Sequence, residues 1–153
     1  QGNKTRAALY DCPGLPTFAT GTTSPGRGLF AHDGRCFAVI GARLEEVNFA
    51  GGEPFLMEEH YRLLNHLVER KMFHVRLTYS TNLSVGTSRA RDVFRIWDRF
   101  ESVEVCGSLD AMGRRGEYLR KGLVWEEAVL NRRRMLEICP RVDFRVAAAT
   151  VNG

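Results

Sequence analysis

The chain has 153 residues, with 44% hydrophobic and 26% charged side chains, the balance of a water-exposed globular domain. No stretch approaches the roughly 20 apolar residues needed to cross a bilayer as a helix. The net charge of +4 is a mild excess, with five basic and four acidic side chains in the first 46 residues. Such an excess describes a solvated surface and argues against nucleic acid as a partner. The first residues, Gln1 to Arg6, precede only the brief apolar patch Ala7-Ala8-Leu9, so no signal peptide is expected. With no initial methionine and a last apolar run broken off at Val151-Asn152-Gly153, the chain reads as a fragment.

Residues 1–43 are rich in turn formers: Pro13-Gly14, Pro16, Gly21, Ser24-Pro25-Gly26, Gly28 and Asp33-Gly34. Gly28–His32 and Arg35–Ile40 flank Asp33-Gly34, and Asp-Gly between apolar runs predicts a β-hairpin because both turn positions tolerate positive φ. Helical periodicity is missing, so this segment is expected to be β.

From Leu44 the pattern becomes strand, helix, strand, helix. Leu44–Phe49 reads as a strand ending at Gly51-Gly52-Glu53-Pro54. Leu56–Met72 follows as a helix, with Leu63, Leu64, Leu67, Val68 and Met72 on one face and its acids placed early. Val75–Tyr79 is the next strand, closing on Ser80-Thr81-Asn82. A helix capped at Thr87 or Ser88 carries Val93, Phe94 and Trp97 on one side. Ser102–Cys106 ends at Gly107-Ser108-Leu109-Asp110. Trp125–Ile138 is a helix whose inward face reads as Trp125, Ala128, Val129, Leu136 and Cys139, stopped by Pro140, and Val142–Val151 is the last strand. The fold class is therefore α/β: parallel strands joined by helical crossovers, arranged as a partial (β/α) barrel arc over residues 44–153.

In parallel sheets the ligand gathers at the carboxyl ends of the strands. A glycine pair there lets a ligand approach the backbone closely, and Glu53 adds a charge. Ser80, Asn82, Ser108 and Asp110 offer short polar groups, though such residues also form turns and helix caps. Arg120, in Glu117-Tyr118-Leu119-Arg120-Lys121-Gly122, reads alone as a surface arginine. The four cysteines, Cys12, Cys36, Cys106 and Cys139, are 24, 70 and 33 residues apart, too far for a zinc knuckle or a redox dithiol. Cys106 and Cys139 read as small buried hydrophobes, and nothing demands an oxidising compartment, so a cytoplasmic location is expected.

Taken in order, Phe49-Ala50-Gly51-Gly52-Glu53-Pro54-Phe55-Leu56, Tyr79-Ser80-Thr81-Asn82, Val105-Cys106-Gly107-Ser108-Leu109-Asp110 and Tyr118-Leu119-Arg120-Lys121-Gly122 resemble the radical S-adenosylmethionine superfamily. The nearest branch modifies peptides or matures proteins, which implies a peptide or protein substrate. The resemblance implies that Gly51, Gly52, Glu53 and Pro54 form the turn that binds the amino group of the cofactor's methionine moiety. It implies contacts to ribose and carboxylate from Ser80, Asn82, Ser108 and Asp110, and pairs Arg120 with the methionine carboxylate. In complete members a 4Fe-4S cluster splits the cofactor into a 5′-deoxyadenosyl radical that takes hydrogen from the substrate. Three cysteines of a Cys-x3-Cys-x2-Cys loop after the first strand hold that cluster. Upstream of Gly51 this chain has only Cys12 and Cys36, so no metal ligands are assigned and no first strand is expected.

Residues 1–43 carry a different resemblance. Leu9–Thr20, Arg27-Gly28-Leu29-Phe30 and Phe37–Gly41 are similar to tailed-phage packaged-DNA stabilisation proteins at the head–tail channel. Those are β-rich, non-catalytic proteins whose partners are other virion proteins. The alternative function is therefore structural.

Overall fold

The computed structural model describes residues 5–12, 15–22, 44–50, 53–84 and 87–147, with the backbone alone given for 5–12, 15–22 and 87–91. Four strands, β3 (Leu44–Ala50), β4 (Arg76–Thr81), β5 (Val103–Ser108) and β6 (Asp143–Ala147), lie side by side in chain order and are all parallel. Between them run α1 (Glu58–Glu69), α2 (Thr87–Trp97), α3 (Gly113–Leu119) and α4 (Trp125–Ile138). This is the α/β arc that alternation implies. On the far side of β3 lies β1 (Thr5–Cys12), parallel to it and antiparallel to β2 (Leu15–Thr22). A strand thus pairs in parallel with β3 from within residues 1–43, where the resemblance led to the expectation of no first strand. The hairpin expected around Asp33-Gly34 lies outside the described residues, as does Cys36.

Alternation along the strands divides the sheet into two unlike faces. On one, Val47 pairs in register with Leu77 and Val103, and Phe49 with Tyr79 and Val105. These side chains form a single buried core with Leu63, Leu64 and Leu67 of α1, Val93, Phe94 and Trp97 of α2, and Ala128 and Met135 of α4. At about 1.5–3 kcal/mol for each large apolar side chain removed from water, this layer holds the arc together. On the other face the register runs from Asn48 through Thr78 and Glu104 to Asp143, with Arg76 within 3.4 Å of Glu104.

Cys106 belongs to this second, polar face and is half-buried, so its reading as a buried hydrophobe is corrected. Cys139, just past α4, is in the core as expected.

Element ends also shift. Leu56 is not helical in the α sense: Pro54–Leu56 form a 3₁₀ turn, and α1 starts at Glu58. α4 buries Ala128, Asn131 and Met135 and turns Val129 outward, 48% exposed. Its inner face is therefore rotated from the expected one, because the buried Asn131 counts as polar in any hydrophobic pattern.

Candidate functional site at the strand ends

The carboxyl ends of β3, β4 and β5 meet at a cavity of about 410 Å³. That size is within the range of small-molecule sites. Glu53, Ser80, Asn82, Ser108 and Arg120, chosen from separate stretches of sequence, all line it. Gly51 and Gly52 lie outside the described residues.

Phe55 explains how Glu53 reaches the cavity. The ring is fully buried and packs 5.7 Å from Trp97 and 6.1 Å from Tyr79, centroid to centroid. Pro54 sets the first position of the 3₁₀ turn, as its fixed φ favours, and is itself buried rather than lining the cavity. With the turn anchored in the core, Glu53 caps it: the Phe55 amide donates to Glu53 Oε1 at 3.4 Å.

The Glu53 carboxylate is also the link between two strand ends. The Thr81 hydroxyl donates to Oε1 at 2.6 Å and the Asn82 amide donates to Oε2 at 3.1 Å. Burial pushes the carboxyl up from its ordinary range, opposed by the bonds from Thr81, Asn82 and Phe55 and by the Arg120 charge. A carboxylate oxygen accepts two hydrogen bonds, so Oε2 keeps capacity for one more donor.

The rest of the wall is held as firmly. Asn82 Oδ1 accepts the Ser84 amide at 2.8 Å, closing a local turn and leaving the Asn82 Nδ2 donors for a ligand. Ser84 Oγ accepts the Val124 amide at 2.9 Å, tying the β4–α2 connection to the start of α4.

Arg120 Nε donates to Asp110 Oδ2 at 2.9 Å. Asp110 therefore steadies Arg120, which lines the cavity while Asp110 does not; a guanidinium can bind a carboxylate through two parallel hydrogen bonds. With a carboxylate, a guanidinium and serine hydroxyls all in its lining, the cavity offers partners for an ammonium, a carboxylate and hydroxyl groups.

Sequence reading missed Thr81, Ser84 and Lys121, which also line the cavity, and Asn131, which bonds to the Leu83 carbonyl. Thr81 had a signal: as the alternate of Tyr79 it had to point inward, a polar side chain at the buried end of a strand. Asn131 had one too, since Ala128, Asn131 and Met135 share a helical face. Ser84 and Lys121 had none.

A cluster does not fit the described residues. Among them, no group of three His, Cys, Asp or Glu side chains could hold a metal ion, and Cys106 and Cys139 lie on opposite faces of the sheet. Among the described residues, no helix is long and apolar enough to cross a membrane.

Compared with known proteins, the chain matches no protein-family model, and no curated protein is similar to it.

Proposed function

We propose that residues 44–147 are the cofactor-cradling arc of a radical S-adenosylmethionine enzyme, binding the methionine end of S-adenosylmethionine between Glu53 and Arg120. One observation carries the reading: five residues singled out from separate motifs share one cavity at the strand ends. Glu53 accepts a hydrogen bond from the ligand ammonium at its remaining Oε2 site. Arg120 receives the carboxylate, with Asp110 fixing the guanidinium plane. Asn82, Ser80 and Ser108 face the ribose hydroxyls. Bound S-adenosylmethionine supplies, in complete members of that superfamily, a carbon-centred radical for hydrogen abstraction. No described residues hold a cluster, so the role assigned to this chain is binding and orientation. Free thiols at Cys106 and Cys139 agree with work in the cytoplasm, where thiols stay reduced.

Titration of the ¹⁵N-labelled chain with S-adenosylmethionine, monitored by amide shifts of Asn82, Ser108 and Lys121, tests this. Without an iron anchor, a dissociation constant on the order of millimolar is expected, the equivalent of about 4 kcal/mol. Glu53→Gln or Arg120→Ala is expected to weaken binding by about tenfold or more, the worth of a charge-assisted hydrogen bond. Decarboxylated S-adenosylmethionine should lose affinity on the wild type and not on Arg120→Ala. Unmoved amides, or variants that bind as tightly as the wild type, would sink the reading.

A further inference from the structure

Leu83 lies in the chain between Asn82 and Ser84, which both line the cavity, and is fully buried with φ at +58°, a left-handed conformation that a branched apolar side chain rarely adopts. Such a residue persists only where its surroundings enforce the conformation. Here the surroundings are two buried polar side chains. The Leu83 amide donates to Thr81 Oγ1 at 3.0 Å, and Asn131 Nδ2 donates to the Leu83 carbonyl at 2.7 Å. Thr81 and Asn131 are 2% and 1% exposed, and with His60 they make up the buried polar residues among those described. Two of three buried polar side chains among the described residues thus bond to one residue of one connection.

The same Thr81 hydroxyl uses its proton on Glu53 Oε1 and its lone pair on the Leu83 amide. Turning Leu83 out of the left-handed region would break both ends of that relay and carry Asn82, one residue earlier, out of line with Glu53 Oε2. We propose that Thr81 and Asn131 are positioning residues: they clamp Leu83 from both sides and so aim the Glu53 carboxylate and Asn82 at the cavity. That the aim serves ammonium recognition rests on the function proposed above; the clamp itself does not. Arg120, which lines the same cavity, is the charged group that acts on Glu53, and Lys121 lines the cavity too.

The test uses the full chain without ligand first. In the wild type, the Thr81 hydroxyl proton should exchange slowly enough to be seen by NMR, with a contact to the Leu83 amide. The Glu53 carboxyl, followed by ¹³C shift, should titrate at higher pH in Thr81→Val than in the wild type and return in Thr81→Ser, which restores the hydroxyl. In Asn131→Leu, the Asn82 and Leu83 amides should exchange about tenfold or more faster, while amides of β4 and β5 keep their protection. A fast-exchanging Thr81 hydroxyl in the wild type overturns the clamp even if every variant fails to fold. So does an unchanged Glu53 titration in folded Thr81→Val.

S-adenosylmethionine is then added to both proteins. If the wild-type amides do not respond, the functional reading falls while the clamp is judged on the ligand-free data. If the wild type responds and Thr81→Val binds equally well despite a displaced Glu53 titration, the clamp has no part in recognition. Weaker binding by Thr81→Val, recovered in Thr81→Ser, supports both.

Discussion

His60 sits fully buried on α1, its Nε2 sharing a 3.0 Å hydrogen bond with the Tyr79 hydroxyl and its ring edge-on to Phe49 at 4.9 Å. Burial lowers its pKa from 6.5 to about 3. Between those values the unfolded chain binds a proton that the folded chain refuses. The stability that neutral His60 allows is complete above about pH 6.5 and is lost as pH falls toward 3, at about 1.4 kcal/mol per pH unit. Urea unfolding at pH 7, 6 and 5 should show that decline, and His60→Leu should flatten it; parallel curves for the two proteins would refute the assignment. Lys71 invites the opposite kind of change. It ends α1 with φ at +56°, the Met72 amide bonding to the Leu67 carbonyl at 2.9 Å and the Lys71 amide to that of Val68 at 3.0 Å. That double closure favours glycine at the Lys71 position. Lys71→Gly is expected to stabilise the chain by about 0.5–1 kcal/mol, read as a higher midpoint in thermal unfolding.

Among the elements, α3 is seven residues long and depends on one close approach. A β-carbon on Gly116 would fall on the Ala111 carbonyl oxygen and also within 3.1 Å of the Leu123 side chain. Backbone cannot yield as a side-chain tip can, so Gly116→Ala should cost about 1–3 kcal/mol and displace Arg120, which lies just past the end of the helix. Unfolding midpoints check the first part; loss of the Arg120–Asp110 contact in the variant's structure checks the second. The elements themselves were legible in the sequence because the core faces of α1 and α2 repeat at helical spacing and β3 to β5 alternate. What escaped is informative. The inner face of α4 differs from the one its hydrophobic pattern suggests because Asn131 is polar and inward, donating to a carbonyl 48 residues earlier in the chain. Cys106 lies in an apolar run that reads as buried, whereas the register with Ser80 and Arg145 puts it on the polar face. The cavity residues could be chosen from motifs, but the bonds that aim them depend on tertiary neighbours no local pattern reveals.

For the molecule as a whole, the ligand count bears on metal chemistry. Four cysteines spaced 24, 70 and 33 residues apart do not provide three thiolates on one loop. Cys139 is further withdrawn by burial, which pushes its thiol pKa up and keeps it protonated. Anaerobic reconstitution with iron and sulfide should leave iron well below four per chain and yield no 5′-deoxyadenosine from S-adenosylmethionine. Stoichiometric iron with product above a protein-free control would require cluster ligands other than three cysteines of one loop.

The strand order β3-β4-β5-β6 has a further consequence, in time and not in space. Each strand finds its partner in the strand synthesised just before it, across a single crossover, so no pairing among these four must wait for a distant part of the chain. Loop closure then costs little at each step, and contacts of short sequence separation favour rapid folding. On the ribosome, where an emerging chain grows at about 5–20 residues per second, the arc can be laid down one strand–helix unit at a time. The cavity can form only late in that sequence. Glu53 and Thr81 are present once β4 is out, but Leu83 gains its second restraint when Asn131 of α4 emerges. Nascent chains arrested before α4 should therefore protect β3 and β4 from proteolysis while leaving the connection after Thr81 open to cleavage.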